Sequence, residues 1–450
     1  MNSIAALPTE LWLLIFNYAV FDITLPGGVE EIVNTLLTIT GVNASWRQLA
    51  ISDPLLWTKI CVAHTSPDSH SLHISSAQFD RIATFLERSK SAPLRLWLTR
   101  VEIPATLEKT EIDALNAEWI SLFDLLKPHM NRCRKLWVYN AASNPSSMLP
   151  NLSDLLNTPD FPHLEEFFFS NSTLLAADQG VVDLSWNVCP THTPLKTLRF
   201  TDWNHYLPLS FDAAWPELTS LELSLDHSRW PKLCRTLARL PLLQDLRLRF
   251  KMGGEIDLSS DSSLSISPAR VTLPNLTSMS TNYLPAWLDI STPNLSRLTF
   301  ISLFSYGPSF DSGMVADSPA FLRSMAELGS SVRELEFNFS AIQPQIILPM
   351  LQELYGIETL IFNDCYSLQG VISHLAGTRN QASDPCLPNL PQAFTSGATF
   401  KRQPQEVKFL PSLRRLRLAG RTAVPDRASV QTLMDSLSIS SPDISVDWNV

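Results

Sequence analysis

The sequence predicts an α+β protein in which a short helical N-terminal region precedes an irregular α/β solenoid, with a curved parallel sheet and with helices and loops on its convex side. Two observations support this prediction. Apolar residues recur at helical spacing near the N-terminus, and a phrase of the form Pro-x-Leu-x-x-Leu-x-Leu returns along most of the remaining chain. In addition, 32 prolines accompany only 14 glycines, which favours proline punctuation over glycine-rich phosphate loops.

Length and charge exclude several classes of protein. A chain of 450 residues is too long for one compact core, so it predicts two or three domains or a repeat array. The net charge of −10 argues against sequence-independent binding of nucleic acid or anionic lipid, because both need a basic surface. The N-terminal apolar run is too short to span a membrane, and six widely spaced cysteines indicate reduced thiols. We therefore expect an intracellular protein, cytoplasmic or nuclear, that does not bind membranes or nucleic acid.

The first predicted helix begins at Leu7 and Pro8 and runs to about Tyr18. Proline is tolerated in a first helical turn, where its missing N–H would be unpaired anyway, and Glu10 complements the positive end of the helix dipole. Its opposite face carries Trp12, Leu13 and Phe16, so a partner or the following domain must cover part of this helix. One apolar stripe recurs at three- and four-residue intervals: Leu11, Leu14, Ile15 and Tyr18, extended backwards by Leu7.

Three further helices follow in the predicted order. The second extends from Val29 to Ile39 and is ended by Gly41, and the third extends from Asn43 to Ile51 and is stopped by Asp53-Pro54. A linking helix is predicted between Ala77 and Ser89, since its apolar residues share one face.

The segments Leu7–Phe16, Val42–Ala50 and Asp53–Trp57 resemble an F-box in residue type and spacing. The resemblance implies docking onto the Skp-family adaptor of a cullin-type ubiquitin ligase. We expect Ile15 and Trp46 to lie in the core and Leu7, Pro8 and Leu11 to make direct contacts. The alternative is a plain three-helix cap that seals a solenoid. The positions that the resemblance implies for adaptor binding are Leu7, Pro8, Leu11, Ile15, Phe16, Val42, Trp46 and Trp57.

The repeated phrase is clearest at 162–169, 216–223, 293–300 and 411–418. Equivalent positions are separated by between 19 residues (279 to 298) and 33 residues (246 to 279). Alternation at Leu-x-Leu predicts a short strand with one buried face, and a single unit of this kind cannot bury that face alone. Neighbouring units must therefore stack into a parallel sheet, and earlier strands are expected near 94–98 and 136–138.

The phrase is similar to that of leucine-rich repeats, in a degenerate form. The Asn or Cys that normally follows the strand is evident only at Cys365. The predicted organisation is an F-box-like region at 1–63, a linking helix at 64–92 and a degenerate leucine-rich-repeat solenoid at 93–450. Three segments interrupt the repeat and predict loop insertions near 253–267, 304–318 and 378–408.

Residues that alternate with the core leucines should face the concave surface of the sheet. Exposed aromatic and Arg side chains dominate protein interfaces, so this surface is a candidate target-binding face. The alternative is cross-strand charge pairing that only solubilises the sheet. The candidate target-binding residues are Phe168, Arg199, Glu222, Arg247, Arg249, Arg297, Glu336 and Arg417.

The motifs of catalysis and metal binding are missing or incomplete in the sequence. It contains no Walker phosphate loop, Gly-x-Gly-x-x-Gly, His-Glu-x-x-His or Gly-x-Ser-x-Gly motif. Cys61-x-x-His64 and Cys189-x-x-His192 are each half of a zinc site, and structural zinc needs four ligands. We expect no catalytic residue, metal or cofactor.

Together these observations predict the substrate-recognition subunit of an SCF-type ubiquitin ligase. The F-box would bind the adaptor and, through it, a cullin, whereas the solenoid would bind a target protein that the sequence does not name. The chain would be a monomer within this hetero-complex. Two alternatives remain: a non-ligase repeat scaffold whose N-terminal helices only cap the array, and a hydrolase within the repeats.

Overall fold

The computed structural model divides the chain into two compact units, Met1–Leu242 and Leu243–Val450. Both units are mixed α/β, and all paired strands in them are parallel. No helix within the described ranges is both long and apolar enough to cross a membrane. The structure describes residues 7–21, 29–63, 73–100, 108–140, 161–171, 194–202, 215–225, 230–250, 271–282, 290–301, 325–340, 344–365, 368, 371, 412–419, 431 and 445–449. The predicted loop insertions and the residues His64, Cys189 and His192 lie outside these ranges.

The three predicted N-terminal helices are confirmed. They are α1 (Thr9–Phe21), α2 (Val29–Val42) and α3 (Ala44–Ser52), and a 3-10 turn follows at Pro54–Trp57. The predicted stop at Gly41 is wrong, because α2 continues through it to Val42.

The break between α2 and α3 depends on a single asparagine. Asn43 has an extended backbone, with φ −161° and ψ 173°, so it interrupts the helical hydrogen bonding. Its side chain accepts a hydrogen bond of 2.8 Å from the backbone N–H of Trp46 and so caps α3. The asparagine, and not the glycine two residues before it, therefore separates the two helices.

The sheet of the first unit begins earlier than the predicted solenoid. Its first strand lies inside the segment predicted as F-box-like and pairs with β2. The six strands pair in chain order: β1 (Lys59–Ala63), β2 (Leu94–Arg100), β3 (Cys133–Asn140), β4 (Glu166–Asn171), β5 (Thr197–Asp202) and β6 (Ser220–Leu225).

Three more helices lie within the described residues of the first unit. The predicted linking helix is confirmed as α4 (Ser76–Arg88), where Ser75 and Gln78 form a reciprocal capping box. The sequence analysis did not identify α5 (Lys109–Leu126) or α6 (Trp230–Leu237). Glu118 of α5 accepts a hydrogen bond of 2.8 Å from the backbone N–H of Ile74, just before α4 begins.

The second unit repeats the same arrangement. Its seven-strand series is parallel, and β8 (Val271–Thr272) and β10 (Ile290–Ser291) form a separate two-stranded sheet. One helix, α7 (Pro344–Glu353), precedes β13. The seven strands in pairing order are β7 (Asp245–Phe250), β9 (Ser278–Thr281), β11 (Arg297–Ile301), β12 (Glu334–Asn338), β13 (Thr359–Asn363), β14 (Arg415–Ala419) and β15 (Ser445–Asn449).

The core of each unit consists of rows of apolar side chains at equivalent strand positions. Phe169 stacks on Phe200 with ring centroids 4.9 Å apart. In the second unit, Phe337 lies between Phe300 at 5.5 Å and Phe362 at 5.4 Å. All five rings are buried. The predicted alternation of buried and outward-facing residues is therefore confirmed for β4 and β5. On β11 to β13 the intervening outward residue, Thr299, Glu336 or Ile361, is buried as well.

The turns that follow β12 and β13 have the same local structure. Phe339 and Asp364 have positive φ angles of 50° and 49°. The next residue in each turn, Ser340 or Cys365, is buried and donates a hydrogen bond to the carbonyl two residues before it, at 3.0 Å and 3.4 Å respectively. Cys365 also donates to the carbonyl of Phe337 at 3.2 Å. The sequence identified this position at Cys365 and missed the equivalent Ser340.

A buried asparagine extends the pairing of β7 with β9. The backbone N–H of Phe250 donates to Oδ1 of Asn282 at 2.6 Å, and Nδ2 of Asn282 donates to the carbonyl of Phe250 at 2.8 Å. Both residues are buried, so the amide replaces two backbone hydrogen bonds where the described strand β9 ends.

We predict that Asn282→Ala loosens this end of β7. The change removes both partners of a buried peptide group, which costs about 2 kcal/mol and should speed exchange of the Phe250 amide by about 30-fold. Hydrogen exchange of the peptide that contains β7, read by mass spectrometry, measures this effect. Asn294→Ala is the control, since Asn294 bonds the carbonyl of Pro274 at an exposed site. Equal exchange in both variants would contradict the assigned role.

Candidate protein-binding surfaces

Four large apolar side chains on one face of α1 are exposed, and so is Leu7 just before the helix begins; we name these five the α1 stripe. The four helical members recur at helical spacing, so they lie on the same face of the helix. The exposed fractions are 40% for Leu7, 44% for Leu11, 65% for Leu14, 46% for Ile15 and 69% for Tyr18.

The opposite face of α1 points into the N-terminal helices. Phe16 and Val20 are buried, and Phe16 lies 5.0 Å from the ring of Trp46 on α3. Trp12 packs against the same indole with tilted ring planes and ring centroids 4.6 Å apart. This reverses two expectations: the face predicted to need a cover forms the core, and Ile15, predicted as core, is exposed.

The remaining residues implied for adaptor binding divide between surface and interior. Pro8 and Val42 are exposed, whereas Trp46 is half-buried within the aromatic cluster. Trp57 is buried and donates a hydrogen bond of 2.8 Å from Nε1 to the carbonyl of Ala50. Phe16 is enclosed by this chain and supports the surface from within, whereas the buried Trp57 also borders the groove described next.

A groove of about 550 Å³ lies between α2 and α4. Leu37, which is 63% exposed, lies at this groove together with Trp57 and Phe85. The guanidinium of Arg88 lies 4.4 Å from the centre of the Trp57 ring. The lining contains no carboxylate, imidazole or thiol, so the groove offers a place for side chains of a partner and no acid-base pair for catalysis.

The outward face of the first sheet carries an aromatic row: Trp97, Trp137 and Phe168. These residues occupy the same register position on β2, β3 and β4. Their ring centroids are 5.7 Å and 5.5 Å apart, with tilted planes, and all three side chains are half-buried. Tyr139, two residues after Trp137, is 39% exposed on the same face.

Basic side chains border the aromatic row at the beginning of the strands. Lys59, Arg95 and Lys135 share one register row, and Lys135 forms an ion pair of 2.6 Å with Glu166. The ammonium of Lys59 lies 5.3 Å from the centre of the Trp97 ring. Burial lowers the pKa of Lys59, and burial together with the nearby Arg134 lowers the pKa of Arg95. Three basic side chains therefore lie beside the rings, and one of them is ion-paired.

The two acidic residues predicted to bind a target instead interact with side chains of neighbouring strands. Glu222 is buried and lies 4.0 Å from Nε of Arg199. Glu336 is also buried and accepts hydrogen bonds from Arg297 at 2.9 Å, Thr299 at 3.2 Å and Asn363 at 2.8 Å. The bond to Glu336 raises the pKa of Arg297. Cross-strand pairing thus accounts for both carboxylates.

Three other predicted target-binding residues are exposed or half-buried. Arg247 is exposed and forms an ion pair of 3.1 Å with Asp245 on its own strand. Arg249 and Arg417 are half-buried on outward positions of β7 and β14. Phe168 is the one predicted residue that belongs to the aromatic row. Arg199 follows Phe168 in the same register on β5.

The predicted binding residues did not include Trp97, Trp137 or Tyr139, although the sequence carries a signal for them. The segments Leu94–Arg100 and Cys133–Asn140 alternate between buried aliphatic residues and outward aromatic or basic ones. The two strands were expected, but their outward residues were not assigned.

Three of the four described cysteines lack the low thiol pKa of a nucleophile. Burial raises the pKa of Cys61 and Cys133 to about 12 and that of Cys365 to about 11. A thiolate is the reactive form, so these groups are neutral at physiological pH. In the part of the chain that the structure describes, no three His, Cys, Asp or Glu side chains come together as metal ligands.

No family model matches this chain, and a search of curated proteins finds no relative.

The burial of Glu336 generates a prediction about stability. Replacing Glu336 by Ala removes charge-assisted hydrogen bonds and should lower the free energy of unfolding by about 2 kcal/mol. The matched change Glu334→Ala removes a carboxylate that is one-third exposed and ion-paired to Arg297 at 3.0 Å, and should cost less than about 1 kcal/mol. Urea denaturation compares the two variants. An equal, small loss in both would show that Glu336 is not structural.

The raised thiol pKa values predict slow alkylation. At neutral pH iodoacetamide should modify Cys61, Cys133 and Cys365 of the folded protein much more slowly than those of the unfolded chain, because each thiol stays protonated. Residue-resolved mass spectrometry after treatment at neutral pH checks this, with the urea-unfolded chain as the control. Rapid modification of any of the three in the folded chain would contradict the assigned environment.

Proposed function

We propose that this chain is an F-box and leucine-rich-repeat protein that acts as the substrate-recognition subunit of an SCF-type ubiquitin ligase. It catalyses no chemical step itself. It binds a Skp-family adaptor, and through it a cullin, at one site and a target protein at another. Transfer is accelerated because the target lysine and the conjugating enzyme are brought together. Such a complex is intracellular, cytoplasmic or nuclear.

The observation that carries the proposal is the α1 stripe. Shielding a half-exposed Leu, Ile or Tyr side chain from water contributes about 1 kcal/mol, so one partner that covers the five side chains gains about 5 kcal/mol before the costs of association. The stripe begins at the Leu7-Pro8 pair that carries the F-box resemblance, which makes the adaptor its proposed occupant.

The repeat architecture supports the second half of the proposal. Parallel strands in chain order, rows of buried leucine and phenylalanine, and the turn residues Ser340 and Cys365 are all features that leucine-rich repeats combine. The outward faces of β2 to β4 and of β7 carry aromatic and arginine side chains that lie outside the core. They supply a broad surface for a protein ligand without any assembled catalytic group among the described residues.

The competing function is a repeat scaffold whose helices only seal the first sheet. The contacts of Trp57 favour some sealing role, because its ring meets Phe85 of α4 at 5.1 Å and its indole N–H bonds the carbonyl of Ala50 on α3. A cap of this kind explains the buried face of α1. It gives no reason for the five exposed apolar side chains on the other face.

We predict that the double variant Leu14→Asp, Ile15→Asp loses the adaptor. Each aspartate removes an apolar contact and places a charge where the adaptor excludes water, so the affinity should fall about 100-fold or more. Co-expression of the full chain with a Skp-family adaptor, followed by size-exclusion chromatography and calorimetry, measures this. Leu242→Asp is the matched control, since Leu242 is 46% exposed far along the chain from α1.

The proposal predicts a one-to-one complex with the wild-type chain and with the Leu242→Asp variant. If the folded wild-type chain does not bind the adaptor, the proposed ligase function is wrong and the scaffold function is favoured. Equal losses in both variants would mean that the α1 stripe is not the adaptor site.

A further inference from the structure

We infer that the groove between α2 and α4 binds a small amphipathic anion, that is, a molecule with an apolar chain or ring system and one acidic group. The apolar part lies on the floor of the groove, and the acidic group meets Arg81 and Arg88 on α4. This inference goes beyond the proposed function, because it involves neither the α1 stripe nor the outward faces of the sheets.

The floor of the groove consists of apolar side chains that the protein itself holds in place. Leu36, Trp57 and Phe85 are buried, and all three border the groove. The rings of Trp57 and Phe85 meet edge to face, with centroids 5.1 Å apart, so this part of the floor has a fixed shape. Leu37 adds an apolar wall that is exposed. A ligand that covers Leu37 removes its apolar surface from water, which favours binding.

The side of the groove that α4 forms carries both arginines in one line. Ala77, Arg81, Thr84 and Arg88 border the groove and recur at intervals of four and three residues, so they share one face of the helix. The α-carbons of the two arginines are about 10 Å apart, because they are separated by two helical turns. Both guanidinium groups therefore belong to the same short wall.

The two arginines keep hydrogen-bond donors for a ligand. The guanidinium of Arg88 lies over the Trp57 ring, 4.4 Å from its centre, which holds the group against the floor. Neither Arg81 nor Arg88 forms a hydrogen bond or an ion pair with any residue that the structure describes. A guanidinium presents its N–H groups in a fork that matches the two oxygens of a carboxylate. The complementarity thus comes from two individual donor groups and does not depend on the net charge of the region.

The other polar side chains of the groove direct the acidic group to the same wall. The hydroxyl groups of Thr40 and Thr84 donate hydrogen bonds to carbonyls of their own helices, those of Leu37 and Asp80, at 3.0 Å and 2.8 Å. Their protons are therefore already used. Among the described lining residues, the arginines and the amide of Asn34 remain as side-chain donors.

A small molecule suits this groove better than a segment of a protein. The volume of about 550 Å³ lies within the range of about 300 to 1,000 Å³ that is usual for small-molecule sites. On α2 the described lining extends only from Asn34 to Thr40, about 9 Å along the helix axis. A stable protein interface needs about 800 Å² from each partner, which is far more than this length offers. A medium-length acyl chain with one carboxylate matches both the length and the chemistry.

The first test uses decanoate as the probe, together with decyltrimethylammonium, which has a chain of similar length and the opposite charge. Isothermal titration calorimetry of the full chain, below the micelle concentration of each probe, should detect saturable binding of decanoate. The cation should bind at least about tenfold more weakly, because it meets two guanidinium groups. A diazirine-bearing analogue of decanoate then locates the site, since its cross-links should fall in the peptides that contain α2 or α4.

Variants separate the contribution of the acidic group from that of the apolar chain. Arg88→Gln should raise the Kd of decanoate about fivefold, and Arg81→Gln, at an exposed position, about threefold. Leu37→Asp should raise it about tenfold or more, because it removes an apolar contact and repels the anion. The matched controls Arg414→Gln and Leu242→Asp, at exposed positions outside the lining, should leave the Kd within about twofold.

The cationic probe distinguishes a lost contact from a collapsed groove. In Arg88→Gln the affinity for decyltrimethylammonium should stay the same or rise, whereas collapse of the groove would weaken both probes. Circular dichroism checks that each variant is folded. The double variant Leu14→Asp, Ile15→Asp should bind decanoate as the wild-type chain does, which separates the groove from the α1 stripe.

Four outcomes would overturn the inference. These are no saturable binding of decanoate, equal affinity for the two probes, cross-links confined to α1, and unchanged decanoate affinity when Arg81 and Arg88 are both replaced by glutamine. Loss of decanoate binding in the Leu14→Asp, Ile15→Asp variant would assign the probe to the α1 stripe and would overturn it as well.

Discussion

The fold depends on burial of one side of each short strand by the equivalent side of its neighbours. A strand with Leu at alternate positions exposes a complete apolar face when alone, and only an adjacent copy in register can cover it. Leu335 and Phe337 of β12 illustrate the constraint: both are fully buried, and Phe337 has a parallel phenylalanine on each side. Each unit is therefore a series of parallel strands in chain order, because sequential repeats are the nearest covers available.

This constraint leaves other surfaces free for recognition, and the chain uses them differently. On β11 to β13 the outward face is filled by a hydrogen-bonded network centred on Glu336, which stabilises the sheet and leaves little for a partner. On β2 to β4 the outward face carries the half-buried rings of the aromatic row, with Arg95 and Lys135 beside them. The helix α1 provides a third kind of surface, apolar and uncharged. An adaptor and a target would then meet chemically distinct sites.

The strands and N-terminal helices could be predicted from the sequence because both depend on local periodicity. Alternation fixed the buried residues of β4, such as Phe167 and Phe169, and helical spacing fixed the stripe of α1. The direction of that stripe could not be predicted, since both faces of α1 are apolar and the choice depends on the aromatic contacts of Trp46. The bonds of Glu336 and Asn282 also escaped prediction, because their partners lie on other strands, 27 to 39 residues away. The members of the aromatic row could be found in the sequence, but their alignment depends on the register of three strands.

The central claim is that the two binding surfaces are separate and that α1 takes the adaptor. Hydroxyl-radical footprinting of the full chain, alone and with a Skp-family adaptor, measures side-chain exposure on both surfaces in one experiment. The account predicts that oxidation of Leu11, Leu14, Ile15 and Tyr18 falls when the adaptor is added, whereas oxidation of Trp97, Trp137 and Tyr139 does not change. Unchanged oxidation of the α1 stripe in a complex that demonstrably forms, or protection of the aromatic row in its place, would contradict it.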